Sequence, residues 1–192
     1  MKSTGLAAAL MAGGASKRMG RDKALLPVTW RKREVPLWHR QLAILRALQP
    51  DELIVSGASR AGIPRSVAIL PDRQEGRGPL SGIATCLESV RSGWLVVLAV
   101  DLPHISSKFL REVLERRKEG CGVVPVRNGR FEPLAAVYPK GASAIANKRL
   151  ERGDLKLQEF VAELIESRMV HPWAVPKEME DQLTNWNLPQ LM

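Results

Sequence analysis

The chain has 192 residues, of which 45% are hydrophobic, so it has the size of one ordinary domain with a substantial core. Its 29 Lys and Arg against 20 Asp and Glu give a net charge of +9, which suits contact with phosphates, nucleic acid or an anionic membrane without choosing among them. The two cysteines are isolated, which argues against a zinc, iron–sulfur or redox pair, and we recognise no signal peptide or membrane span, so we expect a cytoplasmic protein.

Apolar runs alternate with helical patterns along the chain, and this alternation predicts an α/β fold with helices packed on a mainly parallel sheet. A first buried strand is predicted at residues 6–11, where it stops before a Gly-Gly pair. A weaker strand candidate covers residues 24–28. The charged segment 29–36, TWRKREVP, is an excursion to which we assign no role. An amphipathic helix follows from Pro36, a residue that suits a first helical turn.

The middle of the chain contains the clearest strand. Short strands are predicted at residues 52–56 and 67–70, with a helix over residues 80–90 after them. Residues 94–100, WLVVLAV, are apolar on both faces, as expected of a central parallel strand covered by helices on each side. This strand stops at Asp101.

The last third is predicted to open with a helix capped by Ser106 or Ser107. Two strand-like runs, residues 122–126 and 131–138, are separated by Asn-Gly, which indicates a hairpin. Two helices are then predicted, at about residues 142–150 and 156–165.

Three constellations of residues point to chemistry. The first is A-G-G-x-S-x-R-M-G-x-D-K, residues 12–23, directly after a strand. Glycines let backbone N–H groups wrap phosphate oxygens, while Arg18 and Lys23 can neutralise their charge. The spacing fits neither the Walker A motif nor the dinucleotide-binding motif G-x-G-x-x-G. The segment therefore predicts phosphate binding of another kind.

The other two constellations are aspartates at predicted strand ends. Ligands of open α/β sheets bind outside the carboxyl ends of the strands, where the Asp101 carboxylate can hold Mg²⁺ against a triphosphate. Asp72 follows the strand at residues 67–70 and can accept hydrogen bonds from a ribose or base. Taken alone, the segment around Asp72 is an ordinary turn.

Together these segments resemble the molybdenum cofactor guanylyltransferases and related small nucleotidyltransferases. The resemblance rests on four stretches in the family's order and spacing: LMAGGASKRMGRDKALLP, PDRQEGRGPLSG, VLAVDLPHI and FEPLAAVYP. A fainter match to the family's final N-x-N-T-P motif is NWNLP, which contains Asn185 and Asn187. The resemblance implies one Rossmann-like three-layer α/β/α domain over residues 1–192.

The resemblance also implies roles for individual residues. The backbone of the first loop would hold the nucleotide, a role that falls on Met11, Ala12, Gly13 and Gly14. Lys23 would contact phosphates, Asp72 the nucleotide, and Asp101 both Mg²⁺ and the nucleotide. Ser56 stands at a nucleoside-contacting position where the family often has Asn.

The reaction that the resemblance implies is attack by a phosphate oxygen of Mo-molybdopterin on the α-phosphorus of GTP, with release of pyrophosphate. No protein nucleophile is needed, so Lys23, Arg18 and Asp101 with Mg²⁺ would align the substrates and neutralise the developing charge. GTP and Mo-molybdopterin are then the expected partners. Transient contacts with cofactor-biosynthesis or molybdoenzyme-maturation proteins are a family-level expectation.

Two alternatives remain open at this point. Base choice depends on a few pocket contacts, so the chain could instead be a cytidylyl- or other nucleotidyltransferase acting on molybdopterin, a sugar phosphate or an alcohol phosphate. From another class, it could be a non-catalytic phosphate- or nucleic-acid-binding module that uses its charge. With 3 Phe and 1 Tyr, not interleaved with basic residues, no surface for stacking single strands is predicted, and we expect neither nucleic acid nor membrane as a partner.

Overall fold

The computed structural model describes residues 5–13, 22–57, 61–71 and 77–186. Its strands are β1 Leu6–Met11, β2 Pro27–Trp30, β3 Arg33–Pro36, β4 Glu52–Ser56, β5 Ala68–Leu70, β6 Trp94–Ala99, β7 Gly122–Arg127, β8 Arg130–Phe131, β9 Ala135–Pro139 and β10 Val170–Ala174. Its α-helices are α1 Leu37–Arg46, α2 Gly78–Ser89, α3 Ser107–Glu115, α4 Ala142–Glu151 and α5 Leu157–Glu166. Two 3₁₀ segments, Lys23–Leu25 and Lys177–Leu183, complete the regular structure of these residues.

One sheet organises the part of the chain that the structure describes. Its strand order is β10-β7-β9-β6-β1-β4-β5, with β8 paired to β7. β1 lies at the centre of a parallel set and pairs with β4 on one side and β6 on the other. β9 runs antiparallel to both of its neighbours, β6 and β7. The mainly parallel sheet predicted from the sequence is therefore confirmed.

Helices cover both faces of this sheet, because its central strands are apolar on both sides. On one face, α1 and α3 pack over one set of alternating strand residues, among them Leu10, Val96 and Leu98. On the other face, α2, α4 and α5 pack over the alternate set, which includes Ala9 and Val97. This arrangement confirms the three-layer α/β/α fold that the resemblance implied.

Two local predictions around the charged excursion were wrong. Residues 24–28 do not form one strand: Lys23–Leu25 is a 3₁₀ turn, because the Asp22 carboxylate accepts a hydrogen bond from the backbone N–H of Ala24 at 3.0 Å, and β2 starts only at Pro27. Pro36 is not in the first helical turn of α1. It is the extended N-cap residue and the last residue of β3, where it pairs with Pro27. The excursion TWRKREVP is thus mostly an antiparallel hairpin, β2–β3.

The predicted hairpin at Asn128-Gly129 exists, but its second strand is shorter than the predicted run. Asn128 and Gly129 both have positive φ, 49° and 72°, as a two-residue turn between β7 and β8 requires. The chain then leaves this pairing over Glu132–Pro133–Leu134, where proline has no N–H to donate to a ladder. Residues 135–139 instead enter the sheet as β9, between β6 and β7.

Within the described ranges, none of the helices combines the length and apolar character needed to cross a bilayer.

Candidate functional site

The carboxyl ends of four neighbouring parallel strands lie at one edge of the sheet. Met11, at the end of β1, pairs with Ser56 at the end of β4 and with Ala99 at the end of β6, while Ser56 pairs with Leu70 at the end of β5. The segments that follow these strands therefore start side by side. Open α/β sheets bind their ligands at such an edge, so the first loop and the Asp101 turn begin at the same location.

The base of the first loop is fixed by hydrogen bonds to both neighbouring strands. The N–H of Ala12 donates to the carbonyl of Ser56 at 2.9 Å, and the carbonyl of Met11 accepts from the N–H of Val100 at 3.1 Å. Met11 and Ala12 are buried, and Gly13 is exposed. Met11 and Ala12 thus shape the start of the loop, and contact of its backbone with a nucleotide stays a prediction.

Gly57 packs directly against this loop. Its φ is +120°, and a Cβ built on it would lie 2.5 Å from the backbone nitrogen of Gly13 and 2.6 Å from its Cα. Only glycine adopts this conformation without strain and leaves room for the neighbouring backbone. Ser56, through its hydrogen bond to Ala12, and Gly57, through its contact with Gly13, therefore both pack against the start of the first loop.

Lys23 and Asp101 meet at the same edge although they are far apart in the sequence. The Nζ of Lys23 donates to Oδ2 of Asp101 at 3.2 Å, and their side chains are 23% and 26% exposed. Lys23 is held by the 3₁₀ turn that the Asp22 carboxylate caps, and by the neighbouring Ala24, which is fully buried. The structure thus brings together two residues that the sequence predicted as catalytic, and it leaves both accessible to a ligand.

Ser56 is placed differently from what a nucleoside contact would suggest. It is only 1% exposed at the end of β4, and its carbonyl is engaged by Ala12. The Ser56 carbonyl thus forms a hydrogen bond with the first loop, and a role of Ser56 toward a nucleoside stays a prediction. Gly14, Arg18, Asp72 and Asn187 lie outside the described residues.

The C-terminal segment, which sequence patterns left unassigned, reaches the site edge. The N–H of Trp186 donates to the carbonyl of Asp101 at 2.9 Å. Upstream, Oε1 of Gln182 accepts from the hydroxyl of Ser106 at 2.6 Å, and Ser106 in turn caps α3 by accepting from the N–H of Phe109. These bonds hold the exposed Asn185 beside the Asp101 turn. The 3₁₀ segment at residues 177–183 has no periodic apolar pattern that a sequence analysis could detect. Only the NWNLP motif indicated that the C-terminal segment contributes to the site.

Arg127, the last residue of β7, and Glu132, which follows β8, form a second charged pair. Nε of Arg127 donates to Oε1 of Glu132 at 3.2 Å, and its NH1 donates to the hydroxyl of Thr184 at 3.3 Å. Burial raises the pKa of Glu132 above its ordinary value, and the Arg127 charge opposes that shift. The pair links the FEPL segment to the C-terminal segment. In the sequence, FEPL stands out only as part of the family resemblance.

Gln41 of α1 is a further residue that the sequence analysis did not single out. It is fully buried, and its amide donates to backbone carbonyls around Asp101. The signal in the sequence is its position between Trp38 and Leu45, three residues after one and four before the other, on the apolar face of an amphipathic helix. A polar residue at a core position of a helix has to find hydrogen-bond partners.

A parallel sheet with a glycine-bearing first loop, an accessible lysine and an accessible aspartate at its carboxyl edge defines the class: a nucleotide-binding α/β enzyme. The model of the MobA-like NTP transferase domain matches residues 8–170, and the chain belongs to this family of nucleotidyltransferases.

Relatives and solved structures agree with this assignment. The chain is 38% identical to a probable molybdenum cofactor guanylyltransferase of Opitutus terrae, over 98% of this chain and 93% of the relative. It is 33% identical to a probable molybdenum cofactor guanylyltransferase of Pelotomaculum thermopropionicum, over 83% and 75% of the two chains. Its fold is similar to that of molybdopterin-guanine dinucleotide biosynthesis protein A from Archaeoglobus fulgidus, with a TM-score of 0.73, 22% identity and coverage of 95% and 93%. The family resemblance seen in the sequence is confirmed.

Proposed function

We propose that this protein transfers GMP from GTP to Mo-molybdopterin, forming the guanine dinucleotide form of the molybdenum cofactor and releasing pyrophosphate. The observation that carries the reaction type is the accessible Lys23–Asp101 pair beside the first loop. The choice of substrates is supported by the names of the relatives, two of which are called probable molybdenum cofactor guanylyltransferases at 38% and 33% identity.

The residues at the site suit a magnesium ion that is shared with the substrate. No group of three or more His, Cys, Asp or Glu side chains within the described ranges could hold a metal by itself. Mg²⁺ usually binds proteins through one or two carboxylates, with phosphate oxygens and water as its other ligands. The single, partly exposed Asp101 carboxylate fits this mode. When bound, Mg²⁺ supplies positive charge to the triphosphate.

The chain's own residues then have two tasks, to hold the triphosphate and to balance its charge. The backbone of the first loop from Gly13 onward is proposed to offer N–H groups to phosphate oxygens, because the N–H of Ala12 is already donated to Ser56. Lys23 exchanges its contact with Asp101 for contact with phosphate as negative charge builds up on the leaving pyrophosphate. Arg18 is proposed to help balance this charge, and this role rests on the sequence alone.

The bonds that change involve only the two substrates. A phosphate oxygen of the acceptor forms a bond to the α-phosphorus, and the bond from that phosphorus to the oxygen bridging it to the β-phosphorus breaks. The acceptor is already an anion, so no general base is required. Catalysis consists of in-line alignment and charge stabilisation, which are the main contributions in phosphoryl transfer.

The nucleoside contacts are proposed for Ser56 and Asp72. Because Ser56 is buried, base selection has to depend mainly on backbone groups and on residues around Asp72. We further propose that the enzyme acts in the cytoplasm, where its two cysteines, Cys86 and Cys121, stay reduced. Transient hand-off to maturation proteins is part of the same proposal.

The decisive experiment compares GTP, CTP, ATP and UTP side by side, with Mg²⁺ and Mo-molybdopterin, and measures pyrophosphate release. We expect turnover with GTP in preference to the others. A preference for CTP would instead identify a cytidylyltransferase. Inactivity with all four nucleotides, with sugar phosphates and alcohol phosphates as acceptors as well, would indicate a binding module.

Two substitutions test the assigned pair. Asp101→Asn and Lys23→Met should each lower kcat/KM by about 100-fold, since each removes charge that acts on the transition state. Stability should change by less than about 1 kcal/mol, because the ion pair is partly exposed to solvent. Lys140→Met is the matched control, because it removes one positive charge from an exposed site next to the end of β9, at the opposite edge of the sheet. Full activity of Asp101→Asn would overturn the metal assignment.

A further inference from the structure

A buried amide lies directly beneath the Asp101 turn. Gln41 is fully buried, and it is the one polar residue among the six buried residues of α1. A side-chain amide taken out of water costs free energy unless it is hydrogen-bonded, and a Leu or Met would fill the same position without that cost. The hydrogen bonds of Gln41 therefore have to offset the cost of burying its amide.

The bonds of Gln41 go to the backbone on both sides of Asp101. Its Nε2 donates to the carbonyl of Leu102 at 2.7 Å and to that of Val100 at 3.3 Å, with the carbonyl of Ala99 at 3.5 Å. The carbonyl of Asp101 itself accepts from the N–H of Trp186. Successive carbonyls of the turn are thus held by donors from two elements outside it.

The orientation of the amide is also fixed. NH1 of Arg40 donates to Oε1 of Gln41 at 2.8 Å, so the oxygen cannot exchange places with the nitrogen without losing this bond. NH2 of Arg40 donates to the carbonyl of Ile105 at 2.9 Å, at the far end of the same turn. Two consecutive side chains of α1 therefore hold the backbone from residue 100 to residue 105.

We propose that Gln41 is a positioning residue that holds the Asp101 carboxylate where it can share a metal ion with the triphosphate, and that Arg40 locks the Gln41 amide in its donating orientation. This inference rests on the proposed function for the metal, but the clamp itself is a property of the protein alone. A carboxylate on a turn held in this way is preorganised, so metal binding does not have to order it.

The first test measures the clamp without any ligand. In Gln41→Met the backbone amides of Val100 and Ile105, which donate to Met11 and Leu102 in the intact protein, should exchange hydrogen about tenfold faster. Gln158→Met is the matched control, because the Nε2 of Gln158 also donates to a backbone carbonyl, that of Phe131, while its Oε1 accepts from the N–H of the same residue. It should leave exchange at Val100 and Ile105 unchanged. Equal exchange in the two variants would overturn the clamp.

The second test measures the consequence for the metal. The Mg²⁺ concentration that half-activates turnover should rise about tenfold or more in Gln41→Met, as is usual when a group that orients a metal ligand is lost. The preference for GTP should stay as in the wild type, and Gln158→Met should titrate with Mg²⁺ like the wild type. Faster exchange with an unchanged Mg²⁺ requirement would show that the clamp does not serve the metal and would overturn the proposal.

A third variant separates positioning from mere packing. Gln41→Glu keeps the size of the side chain and an acceptor for Arg40, but the ionised carboxyl has no proton to donate to the carbonyls. Because the Arg40 guanidinium favours the ionised form, Gln41→Glu should show the faster amide exchange and the higher Mg²⁺ requirement of Gln41→Met. Exchange at Val100 and Ile105 as slow as in the wild type would count against hydrogen bonding as the cause.

Two further measurements keep the outcomes distinct. If Gln41→Met does not fold, Arg40→Met should show the same effects more weakly, and normal exchange and Mg²⁺ dependence in it would overturn the proposal. If the wild type shows no turnover with GTP, the proposed function fails. Mn²⁺ binding in the presence of GTP, followed by its paramagnetic signal, then decides whether Gln41→Met weakens metal binding.

Discussion

Gly57 and Gly13 lie in backbone contact, and a Cβ on Gly57 would stand 2.5 Å from the nitrogen of Gly13. The first loop and the end of β4 can therefore approach this closely only because residue 57 carries no side chain. The contact couples the conformation of the first loop to the residue that follows β4.

The first prediction follows from that contact. Gly57→Ala should destabilise the protein by about 3 kcal/mol, from backbone strain at positive φ together with the collision against the loop. Because the loop has to shift, we expect GTP affinity to fall at least tenfold. Thermal unfolding and equilibrium nucleotide binding measure the two effects.

Gly153→Ala provides the control for this prediction. Gly153 also has positive φ, +75°, but nothing lies within 4 Å of the Cβ that it would gain. It should cost about 1 kcal/mol of strain and leave GTP binding unchanged. Equal losses of GTP affinity in the two variants would show that the contact with Gly13 is unimportant.

A second prediction concerns the ion cluster that joins α4 to α5. Arg149 is buried, and its guanidinium donates to the carboxylates of Asp154, Glu159 and Glu163. Arg149→Met should destabilise the protein by about 2–3 kcal/mol, because three neighbouring carboxylates would lose the buried guanidinium that they share. Unfolding in urea measures the loss, and activity at low temperature should be retained.

Lys156 supplies the comparison within the same cluster. Its Nζ pairs with Glu159 at 2.9 Å, but the side chain is 78% exposed. Lys156→Met should therefore leave the urea midpoint where it is in the wild type. Similar midpoints for the Arg149 and Lys156 variants would contradict the importance of burial here.

A third prediction concerns pH. Burial opposes the ionisation of Glu52, but hydrogen bonds from the Ser92 hydroxyl and from the N–H groups of Ser92 and Arg91 outweigh this and lower its pKa below the usual 4.5. Because the folded pKa is lower than the unfolded one, the stabilisation is present above about pH 4.5 and is lost as pH falls through the folded value.

Glu52→Gln tests this relationship. The variant should be less stable than wild type by about 0.5–1 kcal/mol at pH 7, a small value because solvent screens the partly exposed carboxylate. The difference should shrink as the pH is lowered below 4.5. Urea unfolding at several pH values measures it, and a difference that is constant from pH 7 to pH 3 would exclude the ionised carboxylate as its source.

The strands and helices that sequence patterns predicted well are those with one dominant physical cause. Trp94–Ala99 is apolar on both faces and forms a central strand, and Ser106 caps α3 with its hydroxyl. Both outcomes follow from local chemistry that needs no knowledge of distant residues.

The features that patterns missed depend on partners far away in the chain. The exit of β9 from the predicted hairpin is decided by the place for it between β6 and β7. Gln41 is a polar residue on an otherwise apolar helix face. Its role becomes apparent only when the folded structure places the carbonyls around Asp101 next to its amide. For the site, the family motifs assigned Lys23 and Asp101 to one nucleotide site. The backbone hydrogen bonds that hold these residues in place involve distant parts of the chain and could not be predicted.

The hydrogen bond from Trp186 to the carbonyl of Asp101 has a consequence for how the site is assembled in time. During translation, β1, β4, β5 and β6 emerge from the ribosome early and can bring their carboxyl ends together. The Asp101 turn, however, waits for a donor, the N–H of Trp186, that lies 85 residues further along the chain. A nascent chain can therefore assemble these four parallel strands well before it can complete the turn that carries Asp101.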